Sequence, residues 1–377
     1  MKCIINGRVL LPDGMAEGKG LLFDEKIVGL CDGVPAGAEV IDAGGAYVAP
    51  GLIDAHCHGF MGWDASHGDA GELRAMSERA ARHGVTAWLP TTMTLPWPAL
   101  ERCFAAIRDA QAASLRPDWD GAQVLGVHAE GPFISPRRKG AQDGSAIQLP
   151  DADKLMPWAD VVRLITLAPE VDGALDCVRR ARAMGITVSM GHTDANYDQA
   201  KAGIAAGVGH VTHSFNAMPP LHHREPGPIG AALEDEHVYM ELICDTFHVH
   251  PALFSTMAKA AGDRLVLVTD SIPAAGLPDG PHDQLGATVV VDGPRLRFPD
   301  GTIAGSALTL DKAVRNFRAH TGLPLWKVVN MASLHPARSL GIDEAKGALT
   351  PGRDADIIFA DADFNVLKTY VRGRQIC

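Results

Sequence analysis

Leu52-Ile53-Asp54-Ala55-His56-Cys57-His58 is the run on which the fold turns. It is short, mostly apolar, and ends on two histidines two positions apart, as a buried strand of a parallel sheet reads. Seven further strand-like runs follow: Val85–Thr92, Val124–Glu130, Val161–Ala168, Ile186–His192, His210–Phe215, Val238–Cys244 and Leu265–Asp270. Helical patterns lie between several of them, at Glu72–His83, Leu100–Ala113, Ala174–Met184 and Tyr197–Ala206. The helix after the sixth run is weakly marked. Eight strands alternating with crossover helices predict an α/β fold, a (β/α)8 barrel of TIM type rather than an open sheet.

Outward from the barrel, both chain ends change rhythm. Residues before Ala49 read as short strands, Cys3–Leu11, Gly20–Leu30 and Glu39–Val48, with turn signals at Pro12-Asp13-Gly14 and Gly44-Gly45. Ala355–Ala360 and Val366–Arg372 look similar at the far end, after Pro351-Gly352. Each group is too small to fold alone, so the two predict one small β-sandwich, 1–49 plus 347–377, beside a catalytic barrel at 50–346.

The length of 377 residues accommodates a barrel of about 250 plus that companion. Hydrophobic residues at 46% and charged residues at 21% fit a soluble globular chain. No apolar stretch approaches the roughly 18 residues that span a bilayer, and Met1–Gly7 has no signal-peptide core, so a cytoplasmic location is expected. Seven cysteines without a CxxC pair argue against a disulfide framework. A net charge of −11 argues against nucleic acid or an anionic membrane as partner. It also means that any anionic substrate must be captured by specific cationic side chains.

In a barrel of this kind the C-terminal strand ends face the active site. Those positions here hold His56 and His58, Glu130, His192, His213 and Asp270. Four imidazoles and two carboxylates on one rim are suitable ligands for zinc and related divalent ions. Side chains alternate along a strand, so His56 and His58 share a side while Cys57 points away as a packing residue. His128, two positions before Glu130, shares its face and is a candidate supporting partner.

These residues also carry a resemblance. Pro50-Gly51-Leu52-Ile53-Asp54-Ala55-His56-Cys57-His58-Gly59 resembles the first-strand signature of the amidohydrolase superfamily, and Gly347–Ile357 its closing β segment. Seven blocks, in order, resemble the N-acetylglucosamine-6-phosphate deacetylase family over nearly the whole chain. They are His58-Gly59-x-x-Gly62-x-Asp64, Ala129–Phe133, Gly191-His192-Thr193, Thr212–Met218, Arg224–Gly227, Val268-Thr269-Asp270 and Asp300–Ser306. The resemblance implies a divalent cation, zinc before iron or another ion, held by Glu130, His192 and His213, with Asp270 as general base and then acid. His56 and His58 leave room for a second cation. Strand four ends Thr166-Leu167-Ala168-Pro169-Glu170, without the bridging lysine that many superfamily members carry, so Glu130 is the expected acidic ligand.

The implied substrate is a phosphorylated amino sugar, N-acetylglucosamine 6-phosphate. By the same resemblance Arg224 and His248 bind its phosphate, with a neighbouring subunit of a homodimer contributing to that grip. Asn216, Ala217, Ala141, Gln142 and the backbone of Ile303-Ala304-Gly305 contact the rest. Some relatives carry a histidine where Gln142 stands; glutamine can donate to an amide carbonyl but cannot act as an acid. His222 and His223 flank Arg224 and could add positive charge. Two rivals remain at this point. One is another amidohydrolase acting on a different C–N bond (dihydroorotase-, aminoacylase- or deaminase-like), which would not need Arg224 and His248. The other is an assembly protein without metal, which would not need the ligand set.

Overall fold

The computed structural model describes residues 1–284 and 286–377. Strands β1 (Leu52–Cys57), β2 (Val85–Thr92), β3 (Val127–Glu130), β4 (Val162–Leu167), β5 (Thr187–Met190), β6 (His210–Val211), β7 (Tyr239–Ile243) and β8 (Leu265–Val268) pair in parallel, each with the next. The ring closes where Asp270 N–H donates to His56 O and His58 N–H donates to Ser271 O, both at 2.9 Å. Every residue of β1 and β2 is buried, because the barrel interior covers one face and helices cover the other.

Several runs are shorter than the sequence suggests. The third breaks at Leu125–Gly126, and Gln123–Val124 pairs separately with β2. Gly126 sits at φ +138°, where a Cβ would stand 2.3 Å from Val161 O, so the chain steps aside at a place only glycine fits. The sixth run keeps two paired residues, since left-handed backbone at His213 and Phe215 carries the chain off the ladder. Helices at Ala70–Ala81, Trp97–Ala113, Ala174–Ala183 and Tyr197–Ala206 match the four expected patterns within a few residues at each end. Asp69 caps the first, and an Asn196–Gln199 capping box opens the last. The helix after β6 is Gly227–Glu234, whose Pro226-Gly227-Pro228 start and missing side-chain cap explain its faint signature.

Each N-terminal run splits in two. Asn6, at φ 55°, turns the chain so that Lys2–Ile5 and Arg8–Leu11 enter different sheets. Glu39–Asp42, Lys2–Ile5, Gly20–Phe23 and Ile27–Cys31 form one four-stranded sheet. Gly14–Ala16, Arg8–Leu11, Tyr47–Pro50, Ile357–Ala360, Val366–Val371 and Arg374–Gln375 form a six-stranded one, in which the two chain ends meet. Ile4, Leu21 and Phe23 from the first sheet pack with Val48, Ile357 and Phe359 from the second in one apolar core. Buried Lys346 ties this region down through Asp354 at 2.9 Å and Asp356 at 2.8 Å.

A four-stranded antiparallel insert absent from the sequence reading follows β8: Gly280–Gln284, Ala287–Asp292, Arg295–Arg297 and Ile303–Ser306. Its apolar face, Val289, Val291, Leu296 and Ala304, packs on Ile272 and Ala274. Ser306 N–H donates to Asp270 O at 2.9 Å, which fixes the last strand against the barrel mouth. Among the described residues no helix is long and apolar enough to cross a membrane.

Candidate metal centre and active site

Three of the six rim residues lie just beyond their strands in left-handed backbone: His192 at φ 46°, His213 at φ 29° and Asp270 at φ 49°. Non-glycine residues adopt that region at a cost of order 1–3 kcal/mol, which surrounding contacts must offset. Asp270 is clamped by its backbone bonds to His56 and Ser306. His192 follows Gly191, where a Cβ would stand 2.6 Å from Thr212 Cβ and 2.8 Å from Thr166 Cγ2. Close backbone approach there turns the imidazole inward.

The side chains converge as the rim positions imply. His192 Nε2 lies 3.2 Å from Glu130 Oε1 and 3.0 Å from His213 Nε2; His213 Nε2 lies 3.1 Å from the same oxygen. His58 Nε2 is 3.2 Å from Glu130 Oε2, and His56 Nε2 is 3.3 Å from His58 Nε2. Asp270 Oδ1 stands 3.4 Å from His56 Nε2 and 3.5 Å from His58 Nε2. All six residues are buried.

Tautomers make the case sharper. His58 Nδ1 meets Thr91 O at 3.1 Å, and His192 Nδ1 meets Arg138 O at 2.9 Å. His56 Nδ1 meets Glu241 Oε2 at 2.9 Å. Carbonyls and carboxylates only accept, so each Nδ1 carries the hydrogen and each Nε2 turns a lone pair into the cluster. Lone pairs facing lone pairs and carboxylate oxygens at about 3 Å need a cation between them. A tetrahedral ion with bonds of about 2.0–2.1 Å separates its ligands by about 3.3 Å, close to the spacing of Glu130, His192 and His213. Among the described residues three triads have ligand atoms close enough to hold an ion: Glu130–His192–His213, His56–His58–Glu130 and His56–His128–Glu241. Glu130 belongs to the first two; in the third, both ring nitrogens of His128 are already hydrogen-bonded, to Ala55 O and Thr166 Oγ1.

Electrostatics follow from this crowding. In the metal-free state burial lowers the basicity of His56 and His58, but nearby carboxylates outweigh it: Asp270, Glu241 and Glu130 raise His56 to about 9, and Asp270 and Glu130 raise His58 to about 10. A proton on each Nε2 then stands where a bound cation would otherwise balance the carboxylates. Burial alone would raise Asp270, yet His56 and His58 hold it below the usual carboxylate range. His128 goes the other way, pushed down to about 3 by burial and by His56. Its Nδ1–H donates to Ala55 O at 3.1 Å and its Nε2 accepts from Thr166 Oγ1 at 2.7 Å, so it stays neutral and packs edge-on against His56 with ring centroids 4.6 Å apart.

Above the cluster opens a cavity of about 250 Å³ lined by His58, Glu130, His192, His213 and Asp270. Ala141, Gln142, Asn216, Ala217, His248, Ile303, Ala304 and Gly305 complete its wall together with Met93, Gly140 and Thr302. His56 lies beneath it. Arg224 does not line it: that residue is exposed on the loop before Gly227–Glu234, with Nη1 2.9 Å from His223 Nε2. His222 and His223 are exposed beside it, their rings 4.2 Å apart. Gln142 is not poised solely for substrate. Its Nε2 donates to Glu130 Oε2 while its Oε1 accepts from Thr94 N–H at 2.7 Å, so it steadies the carboxylate. Asn216 is held by the carbonyls of His213 and Ser214, each 3.2 Å from Nδ2, and His248 by Asp245 at 2.6 Å.

Glu241 went unmarked in the sequence. It sits in the middle of β7, fully buried, and touches both His56 and the His213 backbone. The available signal was its charge inside the apolar run Val238–Cys244.

Comparison with known proteins agrees with this geometry. A sequence model of the amidohydrolase family matches residues 47–376. The chain is 36% identical over 371 residues, 97% of each chain, to an N-acetylgalactosamine-6-phosphate deacetylase of Escherichia coli. It is 37% identical to an N-acetylglucosamine-6-phosphate deacetylase of Vibrio furnissii, covering 90% of this chain and 85% of that one. A mutant N-acetyl-D-glucosamine-6-phosphate deacetylase from Mycobacterium smegmatis, solved in complex with N-acetyl-D-glucosamine-6-phosphate, superposes with a TM-score of 0.91 at 33% identity, covering 100% of this chain and 99% of that one. The chain belongs to the amidohydrolase family, within its N-acetylglucosamine-6-phosphate deacetylases.

Proposed function

We propose that this enzyme hydrolyses the acetamide of N-acetyl-D-glucosamine 6-phosphate to D-glucosamine 6-phosphate and acetate, in amino-sugar breakdown or recycling. The observation that carries the reading is the convergence of His58, His192, His213, Glu130 and Asp270 on the floor of a cavity of about 250 Å³, with His56 buried against them. Glu130, His192 and His213 would hold the principal cation, zinc by preference, and His56 and His58 with Glu130 a second. When bound, such a cation lowers the pKa of a coordinated water to about 7 and polarises an amide carbonyl. Asp270, a carboxylate at neutral pH, would accept the proton of the attacking water. As the C–N bond breaks, Asp270 returns that proton to the sugar nitrogen, and the water oxygen stays with the acetyl carbon.

Asn216, Ala217, Ala141, Gln142 and the backbone of Ile303–Gly305 would orient the sugar, since they wall the cavity. His248 and Arg224 would grip the phosphate, a bidentate task suited to guanidinium. Arg224 stands off its own chain's cavity, which supports delivery across the interface of a homodimer. We also infer a cytoplasmic location, and a division into 1–49 with 347–377 and 50–346.

Acetate release tests the substrate. N-acetylglucosamine 6-phosphate should react with kcat/KM at least about a hundredfold above unphosphorylated N-acetylglucosamine, because remote binding energy drives the reacting bond. N-acetylgalactosamine 6-phosphate belongs in the same assay, because the Escherichia coli relative is named for that epimer. Preference for an acyl-amino acid or cyclic amide would overturn the proposal.

A further inference from the structure

Burying a carboxylate inside an apolar strand costs several kcal/mol unless its contacts repay it. Glu241 meets that condition in β7, between Met240 and Leu242, both buried. Its Oε2 accepts from His56 Nδ1 and from the backbone N–H of His213, each at 2.9 Å. Its Oε1 has no hydrogen bond. The nearby polar atom is His210 Nε2 at 3.4 Å, itself without a hydrogen-bond partner, while His210 Nδ1 is held by Ser339 Oγ at 2.7 Å. One oxygen therefore grips two of the four imidazole-bearing residues, and His210, held by Ser339, stands beside the other oxygen.

We propose that Glu241 is a positioning residue of the reaction: through one oxygen it fixes the ring of His56 with Nε2 aimed at the cluster and holds the left-handed backbone of His213. His213 Nδ1 has no partner of its own, so Glu241 holds this residue through its backbone, whereas it holds His56 through the ring. A histidine ligand oriented through its other nitrogen is more basic and better aimed, and losing such an outer partner typically costs about 10–100-fold in metal affinity or activity. The inference rests on the reading of His56 and His213 as cation ligands.

The test uses the full chain as wild type, Glu241→Gln and His192→Asn, stripped of metal and titrated with Co2+ against a competing chelator. Glu241→Gln keeps an acceptor oxygen and the side chain's volume but removes the charge. It should lower Co2+ affinity about 10–100-fold, alter the cobalt d–d spectrum and reduce kcat with KM for the phosphorylated substrate little changed. Wild-type affinity and spectrum in Glu241→Gln would overturn the proposal while leaving the metal site intact. Wild-type affinity in His192→Asn would instead overturn the metal reading itself. Because Glu241→Gln could fail to fold, a second measurement needs no mutation: 15N-histidine NMR of the zinc-loaded wild type. His56 protonated at Nδ1 is the expected result, and His56 unprotonated at Nδ1 would overturn the proposal.

Discussion

At the scale of single residues, Asp270 has the sharpest assignment, since it alone joins the imidazole cluster to the cavity from β8. Asp270→Asn should lower the rate of acetate release by roughly 10²–10⁴-fold, the usual worth of a positioned acid–base group, while bound metal and melting temperature stay near wild type. Steady-state kinetics with parallel metal analysis checks this. Gln142→Ala should be destabilising as well as slow, by about 1–3 kcal/mol in urea unfolding, because it strands the buried Thr94 N–H and removes a donor from Glu130. The rim residues were legible because a barrel maps strand ends onto one face, so His56, His58, Glu130, His192, His213 and Asp270 could be collected without knowing any contact. Glu241 was not, because it lies inside its strand, where that rule is silent. Gln142 was half legible: its place in the wall follows from the loop, its bond to Glu130 from three-dimensional packing alone.

Elements explain how those residues are aimed. The strand ends expected at His192, His213 and Asp270 close two or more residues earlier, and left-handed turns then rotate each side chain into the barrel. Periodicity sees the apolar run and not the turn that finishes it, which is why the runs were read too long. Gly191→Ala tests this device. A methyl 2.6 Å from Thr212 Cβ cannot be housed without moving the turn, so we expect a loss of about 1–3 kcal/mol in stability and weakened metal binding. Denaturant unfolding and a metal titration read the two effects separately. The insert after β8 escaped the sequence reading because its strands are short and punctuated by glycine and proline, with one face exposed.

The whole molecule is held by a few buried charges as well as by its core. Lys346 sits between Asp354 and Asp356, so Lys346→Met should cost about 3–5 kcal/mol by leaving buried carboxylates short of a partner, readable as a lowered urea midpoint. Asp311, on the helix Leu310–Thr321, is pushed up by burial, but His83, Thr309 and Arg315 outweigh that and hold it at about 2. Its folded-state value lies below the unfolded value of about 3.9, so its stabilisation is complete above that pH and fades as pH falls toward 2. Asp311→Asn should therefore lose about 2 kcal/mol relative to wild type at pH 7, a gap that narrows by pH 3, in urea unfolding at both values. The meeting of the two chain ends was visible in advance because neither strand group could bury a face alone. The central claim remains a cation at the floor of the cavity. Anomalous diffraction from crystals of the active enzyme, collected at the absorption edge of the metal it contains, should show a peak within about 2.0–2.2 Å of Glu130 and the Nε2 atoms of His192 and His213. Active crystals with no peak between those three residues, or with the metal bound elsewhere, would contradict it.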